Sequence, residues 1–167
     1  WTNVLSGIYR LKMNKLSNLD TNDIKGKKVF LRADLDVPIE DGVIKDDTRL
    51  EAWIVSLEYL LKNQAIVYIA GHLGRPDKED EKYSLEPVAQ WIKKKLELQN
   101  DLKITEVNGF KAWELTSNVF VLENLRFYKE EEENVVAGLG AFCILETNSQ
   151  DDGVGDNFHI ASFSKKS

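Results

Sequence analysis

The sequence predicts an α/β fold built on a parallel sheet. Two continuous apolar runs, residues 29–31 and 65–70, are each followed by a segment with helical spacing, and further short strand-like runs lie at 102–104 and 119–122. A run without polar alternation suits a strand buried on both faces, and strands alternating with helices imply crossovers that keep neighbouring strands parallel.

The first strand is read at 29–31, Val-Phe-Leu, bounded by Gly26 and a polar stretch. Asp41-Gly42 supplies a turn that tolerates positive φ, so 38–44 reads as a small exposed hairpin or loop. Thr48 and Glu51 stand at capping-box spacing, while Leu50, Trp53, Ile54, Leu57, Leu60 and Leu61 recur on one helical face, giving a helix from Thr48 to near Asn63. The second strand, 65–70, leads into a loop from Gly71 to Tyr83. Ser84 is the expected N-cap of a second helix, with Pro87 in its first turn and an apolar stripe of Leu85, Val88, Ala89, Ile92 and Leu96. Lys93, Lys94 and Lys95 complement the negative end of its dipole. Residues 138–145 form a candidate for one more strand, Glu130 to Glu133 read as a solvated face or loop, and 147–156 has no usable period.

Composition narrows the function. A chain of 167 residues with 43% hydrophobic and 30% charged content buries one core and is not of the disordered class. A net charge of −6, from 22 Lys+Arg against 28 Asp+Glu, opposes a nucleic-acid partner, which needs a basic face. Cys143 alone cannot form an internal disulfide and suits a reducing, cytoplasmic setting. No stretch approaches the roughly 18 apolar residues of a membrane span, and the order of a signal peptide is missing. The chain opens on Trp1 and its first methionine is Met13, so residues 1–12 are expected to lie outside the fold and 13–167 to form one domain.

In an open parallel sheet, ligands sit beyond the carboxyl ends of the strands. There this sequence places Arg32, Asp34 and Asp36 after the first strand, His72, Gly74 and Arg75 after the second, and Glu123, Asn124 and Arg126 after 119–122. Arg49 joins them at the start of the first helix, where backbone N–H groups also favour an anion. Arginines and a histidine collected at one edge of an acidic protein focus a compact, multiply charged anion, and guanidinium groups grip carboxylate or phosphate oxygens bidentately. Asp34 and Asp36 can orient those arginines or accept from a substrate hydroxyl. Glu123 and Asn124 are better read as holding the loop through backbone hydrogen bonds. The usual nucleotide loops, nucleophile elbow and metal spacings are missing, and Cys143 in its apolar segment reads as core.

Arg32-Ala33-Asp34-Leu35-Asp36-Val37-Pro38, Asp47-Thr48-Arg49, Gly71-His72-Leu73-Gly74-Arg75-Pro76, Tyr83-Ser84-Leu85-Glu86-Pro87-Val88-Ala89 and Glu123-Asn124-Leu125-Arg126-Phe127 together resemble the amino-terminal domain of phosphoglycerate kinase, in order and in spacing, over about residues 15–133. The resemblance implies a three-layer αβα, Rossmann-like domain, the substrate-holding half of a two-domain glycolytic kinase. That enzyme passes a phosphoryl group between 1,3-bisphosphoglycerate and ADP, giving 3-phosphoglycerate and ATP with magnesium on the nucleotide. Carried over by position, Asp34 and Asp36 would contact the glycerate, and Arg49 would bind the carboxylate side and stabilise the transferring phosphoryl group. His72, Arg75 and Arg126 would hold the substrate. Phosphoryl transfer needs positioning and neutralisation of spread negative charge, so arginines are the expected equipment.

Three departures qualify the resemblance. The family usually has Asn where this chain has Asp36, and an ionised carboxylate repels an anion unless an arginine neutralises it. The family's further substrate arginine, in an Ala-His-Arg-Ala-His-like stretch, has no counterpart near Phe158-His159-Ile160-Ala161-Ser162, and the match is poor from about residue 135 onward. The carboxyl-terminal domain with its nucleotide site has no counterpart in these 167 residues, so the Mg-ATP or Mg-ADP site is expected elsewhere. The chain by itself is then expected to bind substrate as a monomer without transferring phosphoryl groups, as a fragment of the kinase. The alternative is a noncatalytic, truncated or degenerate module for a phosphorylated three-carbon acid. No membrane partner and no metal site are expected.

Overall fold

In the computed structural model, residues 21–128 are described, together with the strands Ile8–Leu11, Cys143–Thr147 and Phe158–Phe163. In chain order the elements are β1 (Ile8–Leu11), α1 (Thr21–Ile24), β2 (Lys28–Arg32), β3 (Ile39–Glu40), β4 (Val43–Ile44), α2 (Thr48–Lys62), β5 (Ile66–Ala70), α3 (Glu86–Lys95), β6 (Lys103–Val107), β7 (Phe110–Thr116), β8 (Val119–Leu122), β9 (Cys143–Thr147) and β10 (Phe158–Phe163). Short 3₁₀ turns at Glu81–Tyr83 and Leu125–Phe127 complete them.

Eight strands form one sheet in the order β1-β10-β9-β2-β5-β8-β7-β6. The neighbours β9, β2, β5 and β8 run parallel, and this is the α/β centre expected from the apolar runs. The flanks are antiparallel, so the sheet as a whole is mixed. The reason on the β6–β7–β8 side is loop length: a two-residue connection cannot carry a crossover, so it must fold the chain straight back. Asn108 and Gly109, which join β6 to β7, have φ of 50° and 85°, the pair of positive values that a tight hairpin turn demands. Asp41 and Gly42, at 52° and 75°, do the same for the small β3–β4 hairpin, as expected. β7 was not expected from the sequence, and β6 begins and ends later than the run at 102–104.

The core follows the pleat. Val29 and Leu31 of β2, Val67 and Ile69 of β5, and Val119 and Val121 of β8 pack with the buried stripes of α2 and α3. Phe30, Tyr68, Ala70 and Leu122 face the other way, in a second cluster with Phe110 and Leu125. Tyr68 stacks on Phe120 at 5.0 Å between ring centroids, and burial pushes the Tyr68 hydroxyl pKa up. Both long helices therefore cover one face, and among the described residues no α-helix covers the other, where a second helical layer was expected.

Two helix starts differ from expectation. Thr48 is the first residue of α2 instead of its cap, and its N–H and hydroxyl both donate to Asp46 Oδ1, at 2.9 and 2.6 Å. The Thr48 hydroxyl, then its N–H, holds the Asp46 carboxyl below the usual carboxylate range. The carboxylate thus does what a capping threonine would have done, satisfying an orphan donor of the first turn. At α3, Ser84 Oγ accepts the Glu86 N–H at 3.2 Å, but Leu85 occupies the boundary position, and Pro87 sits in the first turn as expected. The two helices are tied near the start of α2 by Trp91 Nε1, which donates to Asp47 Oδ2 at 2.9 Å, and by Lys95 Nζ, 2.6 Å from Glu51 Oε1.

Candidate functional site

Beyond β2 the burial pattern keeps alternating and sorts the side chains, up to a tight turn in which Val37 N–H donates to Leu35 O at 3.0 Å. Ala33, Leu35 and Val37 are buried, whereas Arg32, Asp34 and Asp36 between them are half-buried. Period-two geometry therefore commits both carboxylates to the same side as Arg32. The ladder continues into this segment through Ala33 N–H, which donates to Ala70 O at 2.9 Å, so it lies against the end of β5.

Arg49, in the first turn of α2, reaches this segment. Its Nη1 donates to Asp36 O at 2.9 Å and lies 3.6 Å from Asp34 Oδ1. Its side chain remains 55% exposed, which leaves guanidinium donors turned to solvent for an incoming anion. Asp34 Oδ1 also accepts the Asp36 N–H at 3.2 Å, and Asp36 Oδ1 accepts the Gly74 N–H at 3.0 Å, which ties the β2 loop to the β5 loop.

At Gly71 the two loops approach closely. A Cβ there would stand 2.5 Å from Ala33 O and 2.8 Å from Leu35 Cγ, so no larger residue fits. His72, next to it, is half-buried. Burial holds its imidazole below the ordinary histidine pKa, the charge of Arg126 and more weakly Arg32 act in the same direction, and Asp36 and Asp34 oppose them. These four groups surround His72 electrostatically, so one site contains cations and carboxylates from three strand ends.

The third strand end is built around Asn124, which is fully buried. Its Oδ1 accepts from Leu73 N at 3.3 Å and Arg126 N at 3.1 Å, and its Nδ2 donates to Leu73 O at 2.8 Å and Tyr83 O at 2.9 Å. Both amide hydrogens and both acceptor sites are used. Arg126 then donates through Nη1 to Gly74 O, closing the turn onto the His72 loop. Beside it, Glu123 is 1% exposed and accepts from Ser84 Oγ at 3.0 Å, Leu85 N at 2.8 Å and Asn124 N at 2.8 Å, with Lys111 Nζ at 3.7 Å. A buried carboxylate is tolerable only with such partners. The holding role expected for Glu123 and Asn124 is what these bonds perform. Lys111, on the unexpected strand β7, had no place in the sequence reading.

The structure brings Asp34, Asp36, Arg49, His72 and Arg126 together at the carboxyl edge of the parallel strands. Arg75 is exposed and shares only the 71–76 loop with them. Among the described residues, no group of three His, Cys, Asp or Glu side chains could hold a metal ion. The segment around His159 is strand β10, which lies between β9 and β1, and the side chains there lie outside the described residues.

The chain matches known proteins over most of its length. The family model of phosphoglycerate kinase matches residues 19–167. The chain is 41% identical over 133 residues to phosphoglycerate kinase 1, chloroplastic, of Arabidopsis thaliana, covering 77% of this chain and 28% of that protein. It is 46% identical over 116 residues to the phosphoglycerate kinase of a Hydrogenobaculum species, covering 66% of this chain and 29% of that one. The solved phosphoglycerate kinase of Coxiella burnetii superposes with a TM-score of 0.61 at 26% identity, over 81% of this chain and 35% of that one. The chain thus spans under a third of the length of the first two relatives. With the sequence match spanning most of the chain and the strand-end residues gathered at one sheet edge, the chain belongs to the phosphoglycerate kinase family.

Proposed function

We propose that this chain is the amino-terminal, phosphoglycerate-holding part of a phosphoglycerate kinase, serving phosphoryl transfer between 1,3-bisphosphoglycerate and ADP. The observation that carries this reading is Arg49. Its guanidinium is anchored on Asp36 O beside the Asp34 carboxylate, yet is more than half exposed at the edge where His72 and Arg126 also stand. Anchored cations cost little reorganisation when negative charge spreads over a transferring phosphoryl group, and electrostatic positioning is most of what that reaction needs.

In this reading Arg49 binds the carboxylate side and steadies the phosphoryl group, Asp34 and Asp36 accept from the glycerate hydroxyl, and His72, Arg75 and Arg126 hold the remaining oxygens. The donor set suits a small anion, and we assign the Mg-ATP or Mg-ADP of the reaction to a carboxyl-terminal part of the enzyme. An acidic chain with a small cationic edge selects a compact anion over a nucleic acid. No described helix is long and apolar enough to cross a membrane. Relatives include a cytosolic enzyme from Triticum aestivum and the chloroplastic one from Arabidopsis; we assign this chain to the cytoplasm as a monomer.

Isothermal titration of the 167-residue chain with 3-phosphoglycerate tests the reading. Saturable binding that Arg49→Ala abolishes, with no binding of Mg-ATP, is the expected result. Binding unchanged in Arg49→Ala would overturn the assignment of the site.

A further inference from the structure

Trp53 lies one helical turn after Arg49 on α2 and is 2% exposed. A buried indole needs an acceptor for its N–H, and Trp53 Nε1 finds Asp34 O at 3.1 Å. Arg49 Nη1 finds Asp36 O at 2.9 Å. The two donors and the two acceptors are matched in spacing. Positions i and i+4 on a helix are about 6 Å apart along its axis, and two residues of chain span at most about 6.6 Å, so Asp34 O and Asp36 O, with the chain turning at Asp36, lie within reach of both donors. The first turn of α2 therefore runs alongside the segment Asp34–Asp36 as a two-rung ladder, with Trp53 forming the buried rung and Arg49 the exposed one.

We propose that Trp53 is a positioning residue for Arg49. The indole belongs to the main core cluster, which also holds Leu50 and Leu57 of its own helix and Leu35 of the β2 loop. It has two side-chain torsions and is 2% exposed, whereas Arg49 is long, exposed and rotamer-rich. By fixing Asp34 O, Trp53 fixes the register of the loop against α2. That register sets where Asp36 O and the Asp34 carboxylate meet the guanidinium, and so where the free donors of Arg49 point. The substrate-facing cation is held in place from the core, through a carbonyl, by a residue that touches no ligand. This inference rests on the reading of Arg49 as a ligand-holding group.

The test uses the 167-residue chain with Trp53→Phe and with the isosteric benzothienyl analogue of tryptophan placed at 53, which removes only the N–H donor and keeps the packing. Two quantities are read: the dissociation constant for 3-phosphoglycerate, and the ¹H–¹⁵N resonance of the Arg49 Nε–H, assigned with Arg49→Lys. Both changes at 53 should weaken binding about tenfold and move the Arg49 resonance to the position of a freely rotating side chain. Trp113→Phe, which alters a buried indole on β7, should lower thermal stability and leave both readouts unchanged. Wild-type affinity and an unmoved Arg49 resonance in the benzothienyl protein would overturn the inference, while loss of binding in Arg49→Ala would still uphold the site. Retained binding in Arg49→Ala would instead overturn the proposed function, and the Arg49 resonance would still decide the positioning role without any ligand.

Discussion

Asp36 Oδ1 accepts the backbone N–H of Gly74 at 3.0 Å, joining the loop after β2 to the loop after β5 across 38 residues of sequence. An asparagine at this position would keep the same acceptor and lose the negative charge. Asp36→Asn is therefore expected to leave thermal stability nearly unchanged and to tighten 3-phosphoglycerate binding about tenfold, or ~1.4 kcal/mol, measured by titration calorimetry. Because the Asp36 charge raises the His72 pKa, the same variant should titrate His72 at lower pH, read from its ring resonances by NMR. Weaker binding in Asp36→Asn would show that the charge strengthens the hydrogen bond from the glycerate hydroxyl by more than it repels the anion.

Asn124 uses both amide hydrogens and two acceptor sites on Leu73, Tyr83 and Arg126. Asn124→Asp would turn a carboxylate oxygen toward the carbonyls of Leu73 and Tyr83 in a fully buried place. Unsatisfied or repelling buried polar groups cost about 1–3 kcal/mol each, so a loss of about 2–4 kcal/mol in urea unfolding is expected. A loss under about 0.5 kcal/mol would mean that the turn does not depend on this amide.

Gly71→Ala places a methyl group 2.5 Å from Ala33 O, a backbone atom that cannot swing away. Overpacking of this kind costs about 1–3 kcal/mol. The loops carrying Asp36 and His72 must part to admit it, so 3-phosphoglycerate affinity should fall together with the thermal midpoint. Retention of full affinity would show that the close approach is not needed for the site.

His72 is held below its ordinary pKa chiefly by burial. Between the folded value and 6.5, the unfolded chain binds more protons than the folded one, so stability rises with pH across that window. It is complete above 6.5, falls as pH drops through the folded pKa and levels off below it. His72→Gln should flatten this part of the stability profile. Binding an anion beside the imidazole favours its charged form, so 3-phosphoglycerate binding near pH 6 should take up protons. Calorimetry in buffers of different ionisation enthalpy should show that uptake reduced in His72→Gln; equal uptake in both proteins would exclude His72 as the proton acceptor.

Local pattern made much of the centre legible. The runs at 29–31 and 65–70 became β2 and β5, and the stripe of Leu50, Trp53, Ile54, Leu57 and Leu60 is the buried face of α2. β7 is obscured in the sequence because Lys111 and Glu114 interrupt its apolar residues, although Asn108-Gly109 before it carries a hairpin signal. The Thr48 and Glu51 spacing points to a capping box, but the Thr48 hydroxyl donates to Asp46 instead of accepting from the first turn. The partners of Asn124 and Glu123 lie mainly about 40 to 50 residues away in sequence, and no local spacing encodes them.

By itself the sequence determined the α/β centre, the strand ends where charged residues collect and the family to which those motifs point. Each of these rests on periodicity or on short contiguous motifs, which neighbouring residues enforce. Only the tertiary structure decided that the flanks of the sheet are antiparallel and that Arg49 rests on Asp36 O. It also decided that Trp53 donates to Asp34 O beside that contact and that Asn124 joins the His72 loop to the Arg126 turn. Those outcomes depend on which distant donors and acceptors are buried together, and burial makes each unmet hydrogen bond costly enough to select one arrangement.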